Sequence, residues 1–100
     1  MRLVFAFLVA LVIATSPALA QPAARDGATP ATAIVIEAPD TRAGIAQEYA
    51  YIRRTYPGWE RVRQALIEHE GRRYDRLTIR SPAGETRDVY FDITSFFGKM

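Results

Sequence analysis

Cysteine is absent from the 100 residues. That excludes a disulfide framework, a thiolate at a catalytic or metal site, and lipid attachment at a cysteine. Histidine and tryptophan occur once each, as His69 and Trp59, and lysine only as Lys99. One histidine without cysteine makes a poor transition-metal site. The carboxylates also lack the D-x-D-x-D-G spacing of an EF-hand loop, so neither a metal nor a cofactor is expected. There is no hydrophobic run long enough to span a bilayer: residues 3–14 form the longest, about 12 residues against the roughly 20 a spanning helix needs.

That short run has another meaning. Arg2 precedes it and Ala18-Leu19-Ala20 follows it, giving a basic start, an apolar segment and an A-x-A cleavage signal. Residues 1–20 therefore read as a signal peptide, and the mature chain is expected in the periplasm or secreted. Residues 21–32 are rich in Ala, Pro and Thr without a hydrophobic period, and they read as a flexible linker. Residues 33–100 then form one small domain, close to the lower size limit for a core without disulfides. Thirteen Lys and Arg stand against eleven Asp and Glu, so the charge is near balance and the basic isoelectric point says little about partners.

Residues 74–93 organise the domain. Leu77 and Ile79 alternate with Arg76, Thr78 and Arg80, and Val89, Phe91 and Ile93 alternate with Asp88, Tyr90 and Asp92. Both arms have the period of a half-buried strand. Ser81-Pro82-Ala83-Gly84 supplies a type I turn followed by a residue suited to positive φ. Closing Ser81 opposite Glu85 sets Leu77 against Val89, Ile79 against Arg87 and Arg76 against Tyr90, with one apolar and one polar face.

Residues 33–38 are a β-branched run stopped by Pro39, and predict a first strand. Asp40 and Thr41 are helix caps, and Ile45, Tyr49, Ile52 and Tyr56 recur on one helical face, with Arg42, Gln47, Glu48, Arg53 and Arg54 largely elsewhere. Pro57-Gly58 ends that helix. The stretch 59–69 has some helical spacing at Val62, Ala65, Leu66 and His69, but the turn signal Glu70-Gly71 favours a strand. A two-residue loop there turns Val62 and Leu66 inward; a three-residue loop turns Ala65 and Ile67 inward instead. The fold class predicted is α+β, one helix packed on a small antiparallel meander in the order β-α-β-β-β. At least one of Phe96 and Phe97 is expected to close the core.

Candidate chemistry is sparse. His69 lies between Glu68 and Glu70, and a hydrolase or lyase would need it beside a carboxylate. Asp88 and Asp92 fall on the polar face with Tyr74, Arg76, Arg80 and Tyr90, where arginine neighbours hold carboxylates ionised and oppose general-acid work. Asp75 shares the face of Leu77 and must find a hydrogen-bond partner or lie at the sheet margin. Trp59 is a core plug or an exposed anchor. Nucleic acid is not an expected partner, because the leader implies export and acidic residues interrupt the basic ones.

The helix ending at Tyr56-Pro57-Gly58, a strand over 61–69, Gly71, the Tyr74-Asp75-Arg76-Leu77-Thr78-Ile79 strand, the Gly84 turn and Val89-Tyr90-Phe91-Asp92 together resemble a PepSY-type domain. The resemblance covers about half the chain and implies a binding or inhibitory module outside the cytoplasm, with no catalytic residues to carry over. The expected function is thus a small exported non-enzymatic module for a protein or peptide partner in the bacterial envelope, acting through the polar sheet face (Tyr74, Arg76, Arg80, Asp88, Tyr90, Asp92, with Trp59) or an open strand edge. The alternatives are an enzyme built on His69 and an accessory protein binding an anionic polymer through its arginines.

Overall fold

Helix α1 (Thr41–Thr55) begins where the sequence supplies its cap. Asp40 Oδ1 accepts from the Ala43 N–H at 2.9 Å, satisfying one of the donors a helix start leaves unpaired. Its last turn carries Arg53 and Arg54, favourable against the helix dipole, and Gly58 at φ +87 turns the chain away. The computed structural model describes residues 25–100, so the expected leader (1–20) and the first part of the expected linker lie outside the described residues. Among the described residues no helix is long and apolar enough to cross a membrane.

Four strands make one sheet: β1 (Ile34–Val35), β2 (Glu60–His69), β3 (Arg72–Arg80) and β4 (Thr86–Asp92), in the order β1-β4-β3-β2. The β3–β4 hairpin has the register read from its turn, with Leu77 opposite Val89, Ile79 opposite Arg87 and Arg76 opposite Tyr90. Ser81 N–H donates to Glu85 O at 2.8 Å, and Gly84, at φ +93, donates to Ser81 O at 2.9 Å. The stretch after Trp59 is a strand, closed onto β3 by the two residues Glu70 and Gly71, both at positive φ as a type I′ turn requires.

The architecture is α+β, but the sheet is mixed and departs from the expected antiparallel meander. β1 pairs parallel to β4, Ile34 beside Phe91 and Val35 beside Asp92. The reason is geometric. Helix α1 carries the chain back across the sheet, so β2 starts in the direction of β1, and two hairpin reversals make β4 run that way as well. The stretch read as a linker also differs over its described part. Gly27 is buried, its N–H donates to Thr32 O, and its carbonyl accepts from Tyr90 N–H, each at 2.7 Å. A single 3-10 turn (Pro30–Thr32) capped by Thr29 follows, and residues 25–32 lie docked against β4.

Leu77, Ile79, Val89, Phe91 and Ile93 form the inner face of the sheet, and Ile36, Ile52 and Phe96 complete the core. Tyr51 meets Phe91 edge-on, ring centroids 5.5 Å apart. Of the helical stripe expected to cover the sheet, only Ile52 is buried; Ile45, Tyr49 and Tyr56 remain partly open. The buried line is Gly44, Glu48 and Ile52. Gly44 sets that rotation, because a Cβ there would come within 2.2 Å of the Phe96 ring. Phe96 is held in turn by the tail, where Lys99 O accepts from Thr41 N–H at 2.8 Å and from the Thr41 hydroxyl at 2.6 Å. The consequence is that Glu48, expected off the buried face, lies at its centre.

Candidate functional site

Strand β2 is ten residues long and stands at the end of the sheet, with β3 on one side. Pairing opposite Asp75 and Leu77 puts Leu66 and Gln64 on the inner face. This is the inward register expected for a two-residue loop as far as Leu66. Val62 leaves that register, because a bulge between Arg61 and Arg63 brings Arg61 opposite Ile79. The helix does not cover this part of the face: Leu66 is 53% exposed. A polar seam bridges the gap instead. Tyr49 Oη donates to Gln64 Oε1 at 3.3 Å, Gln64 Nε2 donates to Asp75 Oδ2 at 2.8 Å, and the Arg61 guanidinium lies 3.8 Å from the Tyr49 ring centroid.

Two cavities flank the seam along β2. One, about 400 Å³, is bounded by Trp59, Arg53 and Arg61 near the helix end. The other, about 220 Å³, is bounded by Ile45, Leu66, Ile93 and Phe97 with the carboxyl-bearing Glu48 and Asp75. Glu48 is fully buried and Asp75 retains 7% of its surface. Neither Glu48 oxygen meets a hydrogen-bond donor among the described residues. Two ionised carboxylates have no proton to share, so the contact between Glu48 and Asp75 is satisfied only when one is protonated. Burial, the hydrogen bond to Asp75 and then the Asp75 charge push Glu48 up to about 10, and it keeps its proton at neutral pH. Gln64 donates to the other partner and favours Asp75 as the acceptor.

The residues singled out on the polar face do share it. Tyr74 pairs with Asp92, Arg76 with Tyr90 and Thr78 with Asp88. Their bonding differs from the expected pairing of Asp88 and Asp92 with Arg76 and Arg80. Asp92 is gripped by Arg72 Nε at 2.8 Å and by the Thr94 hydroxyl at 2.7 Å, while Asp88 accepts from the Thr78 hydroxyl at 2.6 Å. Burial drives Asp92 upward, but the Arg72 and Thr94 hydrogen bonds outweigh it and leave the carboxyl below its ordinary range. Arg80 turns to Glu60 at 3.4 Å, and the buried Nε of Arg76 has no partner among the described residues. Trp59 is half-buried, packed edge-on against Tyr56 with centroids 5.5 Å apart. The structure does not bring it to the polar-face group. His69 is at the far end of β2, its side chain half exposed, 3.8 Å from Glu70.

Glu48 is the residue that reading the sequence for charge missed. The signal was present in Gly44, four positions before it: a glycine inside a helical pattern marks a close approach, and i, i+4, i+8 then runs Gly44, Glu48, Ile52. Among the described residues no three His, Asp or Glu side chains gather as metal ligands. No protein-family model, curated protein or solved structure matches the chain.

Proposed function

We propose that the chain is an exported, non-enzymatic module that binds an extended segment of a protein partner in the bacterial envelope, adding it as a further strand along β2. The export pattern in residues 1–20 and the PepSY-type resemblance support the compartment and the class of role. The observation that carries the site is β2 itself, a long strand at an open edge whose inner face the helix leaves bare. A two-residue hairpin makes its flanking pair, here His69 and Arg72, a hydrogen-bonded one. Alternation then directs the N–H and C=O groups of Gln64, Leu66 and Glu68 to the open edge. Main-chain bonds from such an edge supply affinity in strand addition, and pockets for alternate side chains supply selectivity. The polar face is a weaker platform, since Thr78, Asp88, Arg72 and Asp92 bond one another. The other edge strand, β1, has two residues.

Selection of bound peptides from a displayed library, followed by amide NMR mapping, tests the reading. The peptides should shift the Gln64, Leu66 and Glu68 amides, and Glu68→Pro, which removes an edge-facing donor, should weaken binding about tenfold or more. Shifts confined to Tyr74, Arg76 and Tyr90, or unchanged binding by a folded Glu68→Pro protein, would overturn it.

A further inference from the structure

The cavity beside β2 has apolar walls and two carboxyl groups at its base, one of them fully buried without a donor. Its volume of about 220 Å³ is below the roughly 300–1,000 Å³ of small-molecule pockets, and is the scale of a single side chain. Leu66 connects it to the strand edge: its backbone faces the open edge while its side chain forms part of the cavity wall. Residues opposite one another in a sheet point to the same face, so the residue of an added strand that lies opposite Leu66 sends its side chain over this cavity.

From this, and resting on the strand-addition reading, we infer that the cavity is a lysine pocket: it takes the side chain opposite Leu66, with Asp75 and Glu48 as the counter-ions of its ammonium group. Ile45, Leu66 and Phe97 provide walls for the four-carbon stem. The compact ammonium, a point charge with three donors, suits the place where two carboxyls otherwise share one proton. Its entry displaces that proton. The Glu48 O–H bond breaks, the proton passes to water, and the ammonium N–H groups donate to both carboxylates. Gln64 continues to donate to Asp75 and fixes its orientation. Other ionisable groups on the surrounding elements include Tyr49, reached through Gln64, Arg61 over the Tyr49 ring, Arg73, whose guanidinium lies 4.4 Å from the Phe97 ring centroid, Glu68, 3.7 Å from Arg73 Nε, and Lys99 beside Gly98.

Titration of the purified protein with n-butylammonium, which reproduces the lysine side chain, and with n-butanol as its neutral match separates charge recognition from mere cavity filling. The ammonium should shift the Ile45, Leu66 and Phe97 side-chain signals saturably, about tenfold or more tightly than the alcohol. Raising the pH from 6 to 8 should tighten it by about tenfold per unit, because binding expels the Glu48 proton throughout that range. Asp75→Asn should lose most of the affinity, and Glu48→Gln should abolish the pH dependence while leaving the fold intact. Equal binding of amine and alcohol, no saturable shift, or indifference to both variants would overturn the lysine pocket. Replacing a lysine opposite Leu66 by norleucine in an edge-bound peptide isolates the two ideas: unchanged affinity defeats the pocket and leaves strand addition standing. If no peptide engages the β2 amides, strand addition fails, and the amine titration still judges the cavity.

Discussion

Glu48 couples the stability of the protein to pH with a sign opposite to that of most carboxylates. Unfolded, it ionises near 4.5; folded, it holds its proton up to about 10. Stability from this residue is fully present below about 4.5 and is lost as pH rises toward 10, at up to about 1.4 kcal/mol per pH unit. Asp92 acts the other way, since its folded value is below 3.8 and its contribution disappears only as pH falls through that value. Denaturant unfolding at pH 5, 6.5 and 8 should therefore show declining stability, and Glu48→Gln should flatten the decline and exceed the native protein at pH 8. Gly44 is the companion case. Alanine is the better helix former by about 1 kcal/mol, but its methyl would strike the buried Phe96 ring, and overpacking of this kind costs about 1–3 kcal/mol. Gly44→Ala should lower the urea midpoint despite its propensity.

At the scale of elements, what was readable from sequence follows from how local each decision is. Asp40 and Pro57-Gly58 bound α1, and Ser81 to Gly84 fix the β3–β4 register, because caps and turns are settled by neighbouring residues. The rotation of α1 was not readable from its own periodicity, which points to Ile45 and Tyr49 as well as Ile52. It is decided by Phe96 meeting Gly44, a contact made far along the chain. The same distinction applies to β2: its existence and two-residue turn were legible, whereas the bulge at Val62 was not. The candidate site was legible only in pieces. Asp75 was recognisable as a carboxylate on an apolar face, but its neighbour Glu48 was hidden until the helix rotation was known. The β2–β3 turn also offers a test, since Glu70 occupies positive φ at a position where a type I′ turn favours Asn. Glu70→Asn should stabilise the hairpin by about 1 kcal/mol, seen as a higher urea midpoint at unchanged m-value.

For the molecule as a whole, the segments flanking the helix-and-sheet unit belong to its architecture. Residues 25–32 satisfy the Tyr90 N–H of β4 through Gly27 O, and the tail completes the first turn of α1 through Lys99. A chain starting at residue 33 should thus be less stable than one starting at residue 25 by about 2 kcal/mol, the worth of the two backbone hydrogen bonds that it loses, Tyr90 N–H to Gly27 O and Ala33 N–H to Pro30 O. Equal midpoints would show that the docked segment contributes nothing. The asymmetry of the sheet has its cause at this scale as well. The tail, β1 and residues 25–32 close the structure around β4 and α1, and no described segment closes it beyond β2.

The seat of Phe96 against Gly44 also has a meaning in time. Helix α1 is early in the chain, yet its packing partner arrives some fifty residues later, and the hydrogen bond from Thr41 to Lys99 spans 58 positions. Closing so long a span is entropically costly and comes late, whereas the β3–β4 hairpin needs only its own turn. The helix should therefore be among the last elements to settle, after the sheet it rests on. In stopped-flow experiments Phe96→Ala should mainly accelerate unfolding, while Val89→Ala should mainly slow folding. The reverse pattern would place the helix in the nucleus.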